Sequence, residues 1–148
     1  MNFKIRRCMV SDAKHIYELC RISLGYDFTE EQVEANVRRL MGSPENLLMV
    51  AVDEDDECVG FIHASNHDPV YAPPMKDIMA LAIYDDYRHK GIGKQLVAAV
   101  EEWAVQTGAH GLRVNSGIEQ KSAVVFYKSC GFDYIKTLYN LRKMFWDA

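Results

Sequence analysis

At 148 residues, 49% hydrophobic and 26% charged, the chain has the size and composition of one globular domain that holds a core without disulfides or metals. The formal net charge of -4 argues against a general nucleic-acid binder, and no apolar run is long enough to span a bilayer or to act as a signal peptide. Cys8, Cys20, Cys58 and Cys130 are scattered with no C-x-x-C pair, so free thiols in a cytoplasmic protein are expected rather than a zinc or redox centre.

Phe3 to Cys8 alternates loosely and reads as a first strand. Ser11 or Asp12 caps a helix running to about Ile22, with Ile16, Leu19 and Cys20 facing inward. After the aromatic connection Leu24 to Phe28, Thr29 and Gln32 have the spacing of a capping box, which predicts a second helix ending near Gly42-Ser43-Pro44. Leu47 to Val52 and Cys58 to Ser65 read as a hairpin, and the five acids Asp53 to Glu57 between them read as a solvated turn rather than a metal site.

Asn66 to Lys76, with Pro69, Pro73 and Pro74, reads as a stiff loop, and Ile78 to Tyr84 as a buried strand. A helix follows from Ile92 to Gln106, with Ile92, Leu96, Ala99, Val100 and Trp103 on one face and Gly108 as its stop. Leu112 to Asn115 is the next expected strand, Ser122 to Cys130 a short helix, and Phe132 to Leu138 and Leu141 to Phe145 closing strands. This order indicates a mixed α/β (α+β) fold in one domain over residues 1–148.

Between the fourth strand and its helix lies Tyr87-Arg88-His89-Lys90-Gly91-Ile92-Gly93-Lys94. Glycines at the mouth of a helix let backbone N–H groups approach a ligand, and the helix N-terminus favours an anion. Arg88, His89, Lys90 and Lys94 add positive charge, so the loop reads as a phosphate cradle. A P-loop requires Ser or Thr after Gly93-Lys94, where Gln95 stands, and a dinucleotide fingerprint requires a third glycine, where Leu96 stands.

The remaining pattern is Arg/Gln-x-x-Gly-x-Gly/Ala, and Arg88 to Gly93 matches it. Downstream, Ala123-Val124-Val125-Phe126-Tyr127-Lys128-Ser129-Cys130-Gly131-Phe132 matches A-x-x-F-Y-x-x-x-G-F. With these two motifs, and with Ile5-Arg6, Ser11-Asp12 and Val59 to Ile62 falling in the corresponding places, the chain resembles the GNAT superfamily of acetyl-CoA-dependent N-acetyltransferases over nearly its whole length.

The resemblance implies a mixed sheet of about six to seven strands, flanked by about four helices and splayed between strands 4 and 5. It implies acetyl-CoA as acyl donor, no metal, and no nucleic-acid or membrane partner, and it allows a homodimer. Arg88, His89, Lys90, Gly91, Ile92, Gly93 and Lys94 would hold the pyrophosphate. Ala82 and Ile83 would bond the pantetheine arm through their backbones, Asn115 would line the opposite wall, and Lys128 or the loop cations would reach the 3′-phosphate. Tyr127 would be the general acid at the departing sulfur, since a phenol of pKa about 10 is protonated at neutral pH.

No carboxylate stands in the middle of the fourth strand, where many relatives carry one; Met79 and Ala80 are there instead, and Asp85 replaces a common proline. Asp77 or Glu119, acting through water, are the leading choices for the base, ahead of His63 and His67. Tyr26, Phe28 and Tyr71 fall where the superfamily recognises its acceptor, a small-molecule or peptide amine. The competing expectation is a non-catalytic acyl-CoA sensor of the same fold.

Overall fold

The computed structural model describes residues 2–117 and 121–146. The chain forms two compact units, Met1–Asn115 and Ser116–Ala148. The first holds five strands, β1 (Lys4–Arg7), β2 (Asn46–Val52), β3 (Cys58–His67), β4 (Met75–Ile83) and β5 (Leu112–Val114). It also holds three helices, α1 (Ala13–Ile22), α2 (Glu30–Met41) and α3 (Ile92–Gln106); α4 (Lys121–Ser129) belongs to the second unit. The strands lie in the order β1-β2-β3-β4-β5, antiparallel except for the parallel pair β4–β5.

The helix ends follow their local chemistry. At α2 the capping box forms in full: Gln32 N–H donates to Thr29 Oγ1 at 3.2 Å and Thr29 N–H to Gln32 Oε1 at 2.9 Å. Asp12 immediately precedes α1, but its carboxylate turns back instead of capping it, accepting from Met9 N–H at 2.8 Å and from both terminal nitrogens of Arg6. Val33 and Val37 of α2, with Ile16 and Leu19 of α1, cover one face of the sheet over Leu48, Val50, Val52, Phe61 and Ala82. The buried Leu96, Val97 and Val100 belong to α3, which packs against β2, β3 and β4.

β3 and β4 approach closely because Gly60 has no side chain. A Cβ there would lie 2.9 Å from Ile83 Cγ1 and 3.1 Å from the Ala82 carbonyl oxygen. β3 runs to His67 and β4 starts at Met75, so the proline loop is shorter than its sequence suggests. The partner of His63 is Ala80 and that of Ala64 is Ile78, which leaves Met79 as a bulge in β4. β5 pairs only with Lys76, Asp77 and Ile78, so the two strands part beyond the bulge, as the expected splay requires.

The closing strands expected over 132–138 and 141–145 do not form, so the sheet has five strands rather than six or seven. Alternating apolar residues make a strand only where a neighbouring ladder takes up their N–H and C=O groups, and the described part of the second unit holds no other strand. Ile135, Tyr139, Leu141 and Phe145 are exposed.

All four cysteines are free. Burial pushes the Cys8 and Cys58 thiols from 9.0 up to about 12, with Asp12 adding to the shift. Both thiols should resist iodoacetamide at pH 8 in the folded protein and react on unfolding, which mass spectrometry would read. Because these groups ionise more easily in the unfolded chain, their contribution to stability is complete below about pH 9 and lost as pH rises toward 12. Alkaline unfolding should accordingly set in across that window.

Candidate active site

The loop between β4 and α3 begins with a 3-10 turn, Asp85–Tyr87. Arg88 N–H donates to the Asp85 carbonyl at 3.2 Å, and Arg88 Nε reaches the Ile83 carbonyl and the Asp85 carboxylate, both at 3.3 Å. The chain then turns through two left-handed residues, His89 at φ 61° and Gly91 at φ 83°. Gly91 caps α3, whose first internal bond runs from Gln95 N–H to the Gly91 carbonyl at 3.1 Å.

The amides of His89, Lys90, Gly91, Ile92, Gly93 and Lys94 therefore have no acceptor among the described residues. They sit at the positive end of a 15-residue helix, with Arg88, Lys90 and Lys94 around them. A phosphate group meets the hydrogen-bonding and charge requirements of this concave backbone. Gly91→Ala should cost about 1–2 kcal/mol, because a Cβ is strained in the left-handed region, and should weaken anion binding as the loop relaxes. A calorimetric comparison of the variant with the wild type would measure both effects.

Beside the cradle, β4 offers an open edge. Tyr84 N–H donates to the Val59 carbonyl at 3.0 Å, so the alternate residues Ala82 and Ala80 also turn their N–H and C=O toward β3. Leu81 and Ile83 turn theirs outward. Of the two residues expected to meet the pantetheine arm, Ile83 lies on the open edge together with Leu81, whereas the Ala82 backbone is committed to Phe61.

The bulge at Met79 decides which face Asp77 occupies. Counted by strict alternation, Asp77 would lie opposite Ala80 and Ala82. The extra residue brings Asp77 level with Ser65, and so onto the face that β3 gives to Phe61, His63 and His67. Arg113 of β5 stands directly beside Asp77, with its Nη1 3.9 Å from Asp77 Oδ2. The same guanidinium donates to His67 Nδ1 at 2.8 Å and to Asn115 Oδ1 at 3.3 Å.

Asp77 Oδ1 is buried and has no hydrogen-bond partner among the described residues. Burial holds the Asp77 carboxyl above the usual range for Asp, while Arg113 and His67 oppose that shift. Sequence reasoning singled out Asp77 but not Arg113. A charged residue in a short strand signals nothing until strand pairing shows what lies beside it.

His63 is a partly buried, hydrogen-bonded histidine of β3: its Nε2 lies 2.9 Å from Asn46 Oδ1, and burial with the nearby Arg39 charge lowers its pKa. Tyr26, Phe28 and Tyr71 are exposed, and Glu119 lies outside the described residues.

In the second unit, α4 ends at a turn through Gly131 at φ 94°, where Phe132 N–H donates to the Tyr127 carbonyl at 3.0 Å. Tyr127 is flanked edge-on by Phe126 and Phe132, with ring centroids 5.1 and 5.3 Å away. Burial, with Cys130 nearby, pushes its hydroxyl from 10.0 up to about 12. Lys128 is in the last turn of α4.

Among the described residues, no helix is long and apolar enough to cross a membrane, and no group of His, Cys, Asp and Glu side chains has the makings of a metal site. The family model described as Acetyltransferase (GNAT) family matches residues 13–132. The peptidyl-lysine N-acetyltransferase YjaB of Salmonella typhimurium is 34% identical over 136 residues, covering 89% of this chain and 84% of that protein. An aminoglycoside N(6′)-acetyltransferase type 1 of Stenotrophomonas maltophilia is 26% identical over 133 residues, covering 87% and 85%.

Among solved structures, an aminoglycoside N-acetyltransferase, AAC(6′)-Iy, in complex with CoA superposes with a TM-score of 0.86 at 20% identity, over 96% of this chain and 95% of that one. The structure of AAC(6′)-Iy with the bisubstrate analogue CoA-S-monomethyl-acetylneamine gives a TM-score of 0.85 at 20% identity, over 97% and 99%. The glycine loop, the splayed sheet and a family match across most of the sequence agree, and the chain belongs to the GNAT acetyltransferase family, whose members are acyltransferases.

Proposed function

We propose that this protein transfers an acetyl group from acetyl-CoA to a primary amine. The observation that carries the reading is the run of six unpaired amides, His89 to Lys94, at the start of α3 in a chain of this family. In this reading those amides hold the pyrophosphate, with Arg88, Lys90 and Lys94 nearby, and Leu81 and Ile83 bond the pantetheine arm. Bound there, acetyl-CoA supplies the activated acetyl thioester. Asn115 lines the far side, and Lys128 serves the 3′-phosphate. Tyr127 acts at the departing sulfur, a role carried over from its place in the motif from Ala123 to Phe132.

A lysine-type amine must lose its proton to attack, which costs about 4–5 kcal/mol at pH 7. The proposed acceptor of that proton, through water, is Asp77, whose unpartnered buried oxygen is free to take it. The relative named for peptidyl-lysine acetylation makes a peptide lysine the first acceptor to try, followed by aminoglycosides, with Tyr26, Phe28 and Tyr71 in contact with it. Residues 1–148 are taken to act as one cytoplasmic domain.

The test is an acceptor screen with acetyl-CoA in which free thiol is measured. Thiol release that depends on the added amine supports catalysis. CoA binding without such release, across lysine peptides, aminoglycosides and polyamines, identifies a sensor instead, the reading that the carboxylate-free centre of β4 favours.

Asp77→Asn separates chemistry from folding. Burial raises the Asp77 pKa, so its stabilising contribution is present below the ordinary 3.8 and lost as pH rises through the folded value. At pH 7 the variant should match or exceed the wild type in stability, with the difference vanishing in acid. Turnover should nevertheless fall at neutral pH, where the wild-type carboxylate is available as the base, and the two proteins should converge in acid. A variant that is less stable at pH 7 yet fully active would remove Asp77 from the proposal.

A further inference from the structure

Tyr84 is the residue that joins the sheet to the cradle. Its N–H closes the β3–β4 ladder on Val59, and its carbonyl accepts from Tyr87 N–H at 2.9 Å to begin the turn into Arg88. Its side chain is tied to other elements. The hydroxyl donates to Glu18 Oε1 at 2.5 Å, and His15 Nδ1 lies 3.0 Å from the same oxygen. His15 Nε2 lies 2.9 Å from Glu57 Oε2 in the acidic hairpin turn, and the His15 and Tyr84 rings meet edge-on at 5.9 Å. One line of contacts thus links α1, the β2–β3 turn and the exit of β4.

The line contains three hydrogen bonds and needs three hydrogens. With both carboxylates ionised, Tyr84 has one to give, and it goes to Glu18. Nδ1 must then donate to the tyrosine oxygen, and Nε2 must carry a second hydrogen to reach Glu57. All three bonds exist together only when His15 is an imidazolium, and loss of its proton removes one of them. Burial and the Glu18 bond hold the Tyr84 hydroxyl above its ordinary 10.0, so it remains a donor throughout.

The other titratable groups around this line are Cys58, a neutral thiol that acts on Tyr84, and the cluster of Arg6 with Asp12 before α1 and Asp56 in the same turn. Asp12 and Asp56 are both engaged by Arg6, which leaves Glu57 and Glu18 as the carboxylates bonded within the line.

We propose that Tyr84, clamped by Glu18 and by a protonated His15 on Glu57, is a positioning residue that fixes the phosphate cradle for CoA. The inference rests on the reading of Arg88 to Lys94 as a CoA site. The acidic turn then has a use beyond solvation: it supplies the carboxylate that bonds His15 Nε2, and because one of the three bonds goes with the imidazolium proton, CoA affinity depends on pH.

Calorimetric titration of CoA into the full chain from pH 5.5 to 8.5 tests this, with Tyr84→Phe and His15→Gln as variants whose thermal midpoints confirm folding. Wild-type affinity should fall as pH rises through the range in which imidazolium groups release their proton. Tyr84→Phe, which removes both hydrogen bonds of the hydroxyl, should weaken binding about tenfold or more. His15→Gln should bind weakly at low pH and retain only the slope that the CoA phosphate itself contributes near its second ionisation at about pH 6. If wild type and His15→Gln have the same pH profile, or Tyr84→Phe binds as tightly as wild type, the inference is wrong. Absence of CoA binding by the wild type overturns the cradle reading, and this inference with it.

Discussion

Tyr127→Phe is expected to lower turnover about 10²-fold while leaving CoA affinity nearly unchanged, at the low end of the range for general-acid residues. The low end follows from the hydroxyl's surroundings. Burial pushes it to about 12, well above an ordinary thiol near 8.5, so full transfer of its proton to a departing thiolate is uphill by about 5 kcal/mol. In the proposed mechanism a donor of this strength would stabilise the developing negative charge on sulfur by a hydrogen bond, a contribution of the size seen when one such donor is removed elsewhere.

Because the phenol stays protonated across the neutral range, the rate should rise with pH as the amine deprotonates, with no descending limb from Tyr127 below about pH 11. Steady-state kinetics on the best acceptor, beside a CoA titration, would decide it. A tenfold loss of CoA affinity with unchanged turnover would make Tyr127 a packing residue between Phe126 and Phe132.

Asp12→Ala should cost about 3 kcal/mol of stability, the largest loss expected from a single side chain outside the apolar core. Asp12 is only 4% exposed and accepts from Arg6 Nη1 at 2.8 Å, Arg6 Nη2 at 3.0 Å and Met9 N–H at 2.8 Å. The pair raises the Arg6 pKa further above its usual value, so the guanidinium cannot shed its charge when its partner goes. It would keep Asp56, at 3.0 Å, which is largely exposed and screened by water.

Since whole domains are stable by about 5–15 kcal/mol, such a loss should show clearly in the urea midpoint. The double variant Arg6→Met/Asp12→Ala should recover part of it, because the charge left unpaired is then removed as well. A loss below about 1 kcal/mol in the single variant would show that water solvates Arg6 in place of Asp12.

Features set by neighbours in the sequence were readable from it. Thr29 and Gln32 bond each other because both lie within one helical turn, and the Gly91 loop opens α3 because a left-handed residue must stand there. The failure at 132–145 has the opposite cause: alternation describes half of a strand, and the other half is a partner ladder that no local pattern supplies. Tyr84 drew no attention as a sequence position, since Glu18 and His15 are 66 and 69 residues away from it.

The sequence by itself determined the glycine turn that opens α3, the family and the motif that carries Tyr127, because each depends on residue types at short, fixed spacing. Tertiary structure alone decided the geometry around β4. One bulged residue, Met79, moves Asp77 onto the face of Ala80 and Ala82 and turns Lys76 toward the Trp103 ring of α3. The ladder to β3 leaves Leu81 and Ile83, not Ala82, on the open edge. The physical reason is that a strand repeats every two residues, so one inserted residue reverses every face before it, and only strand pairing reveals where that residue is.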